Sequence, residues 1–230
     1  IRQSLVGSEM CIRDRDYLRL RMTGKKVFDM SDAAGTLWLD VAGRAWSDEL
    51  LDICGLDRRL MPRLVEGSEV SSQLRAEIAR EWGIDGRPVV AGGGGDNAAA
   101  ATGLGIVAPG DSFMSLGTSG VIFTVTDRFA PATESGAHAF CHALPNSWHQ
   151  MGVILAASDC VSWLCDVTGM TVDSLMKQMA QTDPAATDLM FHPYLSGERT
   201  PHNDAEARGG FFGIARHHGP GDMARAVLQG

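Results

Sequence analysis

The sequence is short of several things that would settle its class at once. No stretch approaches the roughly 18 to 20 consecutive apolar residues that a membrane span needs; runs such as 152–157 are brief. No excess of basic residues is present: 20 Lys and Arg face 28 Asp and Glu, a formal charge of −8, which argues against a protein that works by neutralising nucleic-acid phosphates. Cys11, Cys54, Cys141, Cys160 and Cys165 form no CxxC pair, are odd in number and come with no secretory signal, so a reducing, cytoplasmic setting with free thiols is expected. The Gly-Lys-Ser/Thr ending of a P-loop is missing, as are internal repeats and low-complexity tracts. His192 and His202 are too far apart for a helical metal pair and no third ligand accompanies them, which argues against a zinc site.

What is present is ordinary globular material. At 230 residues and 44% apolar composition the chain can build a core, and 21% charged residues argue against wholesale disorder. It opens on Ile1 and closes in what reads as an amphipathic helix, so it is expected to be an internal piece of a longer protein. Residues 1–15 bear no clear relation to the rest of the chain and are expected to be a non-native leader.

From Asp16 onward, strands, tight turns and helices alternate in a manner that favours an α/β architecture. A strand is expected at Leu37–Asp40. Ser47 is placed to cap a helix running through Leu51 to Gly55, and Ser71 or Ser72 to cap a second with Leu74, Ile78 and Trp82 on one face. Arg87–Ala91 reads as a strand that opens into Gly92–Gly95 and then a small-residue helix. Pro109-Gly110 marks a turn and the expected domain boundary. Beyond it, Ser112–Gly117 and Val121–Thr126 form a hairpin, Trp148–Ile154 a further strand, and Ser158–Val167 a helix.

Three stretches could carry chemistry. After Gly92-Gly93-Gly94-Gly95, Asp96 would stand as a carboxylate at the exposed end of a strand-to-helix turn, able to accept a proton from a substrate hydroxyl, with Asn97 to fix a neighbouring hydroxyl. Two rivals stand beside that reading: Asp96 as a plain N-cap, and Gly93, Gly95 and Ala98 as a GxGxxA dinucleotide fingerprint. The second stretch is Ser115–Gly120, whose Gly117, Thr118 and Ser119 could wrap phosphate oxygens or simply make a turn. The third is the polar loop Phe191–His202, in which Glu198 and Arg199 are expected to pair with groups other than each other. The other histidines, and Cys141, Cys160 and Cys165, read as packing or surface residues.

Four segments in this order, SDAAGTLWLDVAGRAWSDELLD (Ser31–Asp52), PVVAGGGGDNAAAATGLG (Pro88–Gly105), SLGTSGVIF (Ser115–Phe123) and PYLSGERTPHNDAEARGGFFGI (Pro193–Ile214), resemble the FGGY family of carbohydrate kinases, in wording close to those acting on xylulose. The resemblance implies an actin-like or ribonuclease H-like two-domain fold. Residues 16–108 would be the last part of the sugar-binding domain and 109–230 the first part of the nucleotide-binding domain, both incomplete. It implies ATP with Mg2+ as donor and a ketose, D-xylulose, as acceptor, with no nucleic acid and no membrane as partner; a homodimer is left open. Asp96 matches the family's catalytic base, Asn97 its sugar contact, and Gly117, Thr118 and Ser119 its phosphate loop, with Ser158 near the nucleotide. The family's opening Asp-x-Gly-Thr loop and late adenine segment have no counterpart here, so the chain alone is expected to be inactive. A kinase for ribulose, gluconate or glycerol, a non-catalytic actin-like ATP-binding protein and a dinucleotide-binding oxidoreductase are the competing readings.

Overall fold

The computed structural model describes residues 14–183 and 188–230. The expectation of a non-native leader falls outside the described residues except at its last two, Asp14 and Arg15, which open the first helix. The elements run in the order α1 (Asp14–Thr23), β1 (Val27–Asp29), α2 (Met30–Ala33), β2 (Leu39–Asp40), β3 (Ala45–Trp46), α3 (Asp48–Ile53), β4 (Arg63–Val65), β5 (Val70–Gln73), α4 (Ala76–Glu81), β6 (Val89–Ala91) and α5 (Asp96–Gly103). Then come β7 (Ser112–Leu116), β8 (Gly120–Thr126), β9 (His138–Cys141), β10 (Trp148–Ile154), α6 (Ser158–Thr168), α7 (Val172–Met179), β11 (Met190–His192), β12 (Gly210–Phe212) and α8 (Pro220–Gln229). The chain divides into two units, one holding the residues up to Ser112 with Thr124–Ala130 and Ala139–Gln150, the other Phe113–Phe123, Pro131–His138 and Met151–Gly230.

In the first unit, β1 and β4 pair in parallel, Phe28 opposite Leu64, while β5 and β6 pair antiparallel, Val70 opposite Ala91. Phe28, Met30, Leu39, Trp46, Leu51 and Cys141 form its apolar core. The core's polar edges are satisfied: the Trp46 indole donates to the Pro62 carbonyl at 2.9 Å and the Trp148 indole to the Val41 carbonyl at 2.8 Å. Arg44 lies 5.1 Å from the Trp148 ring centroid and grips Glu66 through two bonds, 3.0 and 2.6 Å. Ser47 caps α3 as expected, accepting from the Leu50 amide at 3.2 Å.

Two expectations give way. Ser71 and Ser72 belong to β5 instead of capping a helix; α4 starts after Arg75 with no side-chain cap. The buried residues there are Leu74 and Ala79, whereas Trp82 is exposed at the helix end, so the four-residue repeat overstated a single apolar face. The strand expected at Leu37 begins only at Leu39, because Leu37 takes a left-handed turn, φ 70°, after a 3-10 segment.

The hairpin expected after Pro109 is β7 and β8, within a sheet of order β7-β8-β10-β9. In the second unit α6, α7, α8 and β11 enclose Cys160, Leu164, Leu175, Leu189, Phe191, Ala224 and Val227. Trp163 stacks on Phe191 and on Phe211, and these two rings meet tilted with centroids 4.8 Å apart. Burial drives the packing of α6, since a buried Leu contributes about 2 kcal/mol relative to an exposed one. Leu164 is 1% exposed and Val167, on the same helix, 60%. Leu164→Ala is therefore expected to cost about 2 to 5 kcal/mol in urea denaturation, and Val167→Ala no more than about 0.5 kcal/mol.

Candidate functional site

The glycine run lies where backbone passes against backbone. A Cβ on Gly92 would overlap the Glu66 carbonyl, one on Gly67 would overlap the Ala143 carbonyl, and Gly93 holds φ at +79°. Gly92 donates to Glu69 and Gly93 to Gly67, both at 2.9 Å, so the run is stitched to the loop after β4. Only residues without side chains can pass here.

Other elements then reach in to hold the run's remaining groups. Arg19 donates to the Gly92 carbonyl and Arg15 to the Gly94 carbonyl. Gly95 donates its amide to the Ser31 hydroxyl at 2.9 Å, and Ser31 donates onward to Asp29 at 2.5 Å. Asp29 is fully buried and caps α2 by accepting from the Asp32 amide at 3.1 Å. Sequence reading missed Ser31, Asp29 and Arg19. The Asp29-Met30-Ser31-Asp32 capping pattern was a local signal for α2, but its link to Gly95 spans 64 residues.

Asp96 opens α5 as its first helical residue, with Gly95 in the capping position, so the N-cap reading of Asp96 does not hold. Its side chain is exposed; Oδ1 accepts from the Asn97 amide at 2.7 Å and from the Asn97 side chain at 3.2 Å. Among the described residues Oδ2 accepts no hydrogen bond. A carboxylate at the positive end of a helix, steadied on one oxygen and open on the other, can receive a proton from a hydroxyl. The dinucleotide reading loses its frame, because β6 pairs antiparallel with β5 rather than entering a parallel βαβ unit.

In the second unit the structure brings Gly117, Thr118, Ser119 and Ser158 together. Gly117 donates to the Ser119 carbonyl at 2.9 Å to close the hairpin tip, and Thr118 and Ser119 are exposed. The tip's carbonyls cap α6: Ala157 donates to Thr118 at 2.8 Å, Ser158 to Gly117 at 3.0 Å, and the Ser158 hydroxyl also donates to Gly117. The first amides of α6 are thus spent on the loop. Glu198, 2% exposed, accepts from the Leu155 and Arg199 amides at 3.2 and 2.7 Å, and the Thr200 hydroxyl accepts from the Val153 amide, which clips this loop to the end of β10. Arg199 meets His138 at 3.3 Å and Tyr194 meets His202 at 2.9 Å.

The thiols are packing groups: burial pushes Cys141 up to about 12 and Cys160 up to about 11, which keeps both protonated. Among the described residues no group of three or more His, Cys, Asp or Glu is placed to hold a metal ion, and no helix is long and apolar enough to cross a membrane.

Two consequences can be measured. Gly92→Ala is expected to lose about 2 kcal/mol or more in chemical denaturation, because the obstruction is backbone. Gly103→Ala, in helical conformation with open space at the Cβ position, is expected to gain up to about 1 kcal/mol. Asp16 is 4% exposed, and burial pushes its carboxyl up to about 6 against the lowering influence of Arg15 and Arg19. A raised carboxyl favours folding while protonated, so its contribution is complete below about pH 4 and is lost as pH rises through about 6. The chain should lose on the order of 2 to 3 kcal/mol across that window, and Asp16→Asn should remove that slope from denaturation curves recorded at each pH.

The N-terminal domain model of the FGGY family of carbohydrate kinases matches residues 6–103 and its C-terminal domain model residues 113–230. The chain is 54% identical over 217 residues to the xylulose kinase of Escherichia coli K12, covering 94% of this chain and 45% of that protein. A crystal structure of a xyloylose kinase from Brucella ovis superposes with a TM-score of 0.91 at 51% identity, over 95% of this chain and 45% of that one. Gluconate kinase from Lactobacillus acidophilus superposes at 30% identity and a TM-score of 0.83, over 94% of this chain and 44% of that one. The chain spans just under half the length of the relatives it matches. Its α/β fold is the actin-like, ribonuclease H-like fold of these kinases, and the chain belongs to the FGGY family of carbohydrate kinases.

Proposed function

We propose that the complete protein carrying this chain transfers the terminal phosphoryl group of ATP to D-xylulose, giving ADP and D-xylulose 5-phosphate. The observation that carries the choice of sugar is the 54% identity to a xylulose kinase, against 30% to a gluconokinase of Bacillus subtilis. Residues 16–108 form the later part of the sugar-binding domain and residues 109–230 the earlier part of the nucleotide-binding domain.

A sugar hydroxyl is a poor nucleophile near neutral pH. Asp96 acts as general base: Oδ2 takes the hydroxyl proton as the oxygen bonds to the transferred phosphorus and the bond from phosphorus to the ADP oxygen breaks. Asn97 steadies Oδ1 and offers its amide to a neighbouring sugar hydroxyl. Gly117, Thr118 and Ser119 line the phosphates, where a bare glycine lets backbone approach closely, and Ser158 secures that loop by holding the Gly117 carbonyl. Among the described residues no group of three His, Cys, Asp or Glu is placed to hold the magnesium ion that accompanies ATP, and what these residues offer the reaction is the proton acceptor and the phosphate loop. The free thiols of Cys54, Cys141, Cys160 and Cys165 suit a cytoplasmic setting.

The test is a panel of xylulose, ribulose, gluconate and glycerol presented with ATP to the complete protein, as wild type and as Asp96→Asn. Xylulose is expected to give the highest kcat/KM, and Asp96→Asn to lower its turnover by about 10²-fold to 10⁴-fold. Unchanged turnover in the variant would remove Asp96 as the base; no turnover with any sugar would favour the non-catalytic ATP-binding reading.

A further inference from the structure

A carboxylate that accepts a proton must be aimed, and among the described residues no side chain from another element aims Asp96. Its hydrogen bonds there go to the adjacent Asn97, so its direction is inherited from the backbone at the start of α5. That backbone comes after four glycines, the residues with the most conformational freedom.

The constraint comes from α2. The Gly95 amide, in the residue immediately before Asp96, donates to the Ser31 hydroxyl at 2.9 Å. A hydroxyl can turn, yet this one cannot turn away, because its proton is committed to the Asp29 carboxylate at 2.5 Å. Ser31 is 5% exposed and Asp29 0%. The buried Asp29 carboxylate is compensated by Arg15, which pairs with its other oxygen, and by the Asp32 amide that it caps, so the acceptor of the Ser31 proton is itself held in place. The turn packs closely on its neighbours: a Cβ at Gly94 would stand 3.0 Å from the Ala143 Cβ, while one at Gly95 would make ordinary contact with Asp32 at 3.6 Å.

We propose that Ser31, oriented by Asp29, is a positioning residue for phosphoryl transfer, fixing the Gly95 peptide so that the Asp96 carboxylate faces the sugar hydroxyl. The proposal rests on the reading of Asp96 as the base. It assigns Ser31 to the chemical step rather than to sugar affinity, because Ser31 is buried and acts through the Gly95 amide.

The experiment compares Ser31→Ala and Ser31→Thr in the complete protein with wild type and Asp96→Asn. It reads kcat and KM for xylulose, the thermal midpoint, and hydrogen exchange at the Gly95 amide. Ser31→Ala is expected to lower kcat by about 10-fold to 100-fold with KM within about 3-fold, and to speed exchange at Gly95 more than at amides of the α3 core. Ser31→Thr, which keeps the hydroxyl, should recover most of the lost turnover. If Ser31→Ala does not fold, Asp29→Asn carries the same test, since it keeps Ser31 as an acceptor and removes the charge that orients it. Unchanged kcat, or a fall in kcat matched by uniform destabilisation with no selective change at Gly95, would overturn the proposal. Failure of Asp96→Asn to reduce turnover while Gly95 exchange still responds to Ser31→Ala would instead overturn the reading of Asp96.

Discussion

The hydrogen bond from the Gly95 amide to Ser31, backed by the buried carboxylate of Asp29, is the constraint that holds the turn into α5 in the first unit. Glycines are required at 92 and 67 because main chain crosses main chain there, and the same absence of side chains leaves the turn without fixings of its own. Arg19 supplies one from α1, and Ser31 supplies another from α2. A permissive sequence becomes a fixed turn only through residues distant in the chain.

The second unit solves a similar problem by a different route. Its hairpin tip is exposed, and an exposed tip of Gly, Thr and Ser has little to pack against. Helix α6 has the opposite difficulty, with amide groups at its start that need acceptors. The Gly117 and Thr118 carbonyls meet the Ala157 and Ser158 amides, and each element satisfies the other. Glu198 and Thr200 bind the strand leading into this junction, so the polar loop that looked functional in the sequence does its observable work as a brace.

Features set by neighbouring residues were legible in the sequence. The β7–β8 hairpin announced itself through its turn residues and alternation, with Phe123 and Val125 buried and Ile122 exposed, and Ser47 capped the helix it preceded. Local signals failed where pairing competed with them. Ser71 and Ser72 looked like caps, but an extended partner in β6 drew them into a strand. Trp82 looked like core through spacing alone, yet α4 ends beside it and leaves it exposed. The strand-to-helix turn that places Asp96 at the start of α5 was legible in its glycines, whereas the bond that holds it was not, since no local pattern ties Ser31 to Gly95.

If the support and the base form one device, their energetic effects cannot be independent. A double-mutant cycle on kcat for xylulose phosphorylation, combining Ser31→Ala with Asp96→Asn in the complete protein, measures that dependence directly. Once the carboxylate is gone, aiming it should no longer matter, so the double variant is predicted to turn over at the rate of Asp96→Asn alone. Fully additive losses, with Ser31→Ala costing as much in the Asp96→Asn background as in wild type, would contradict the account.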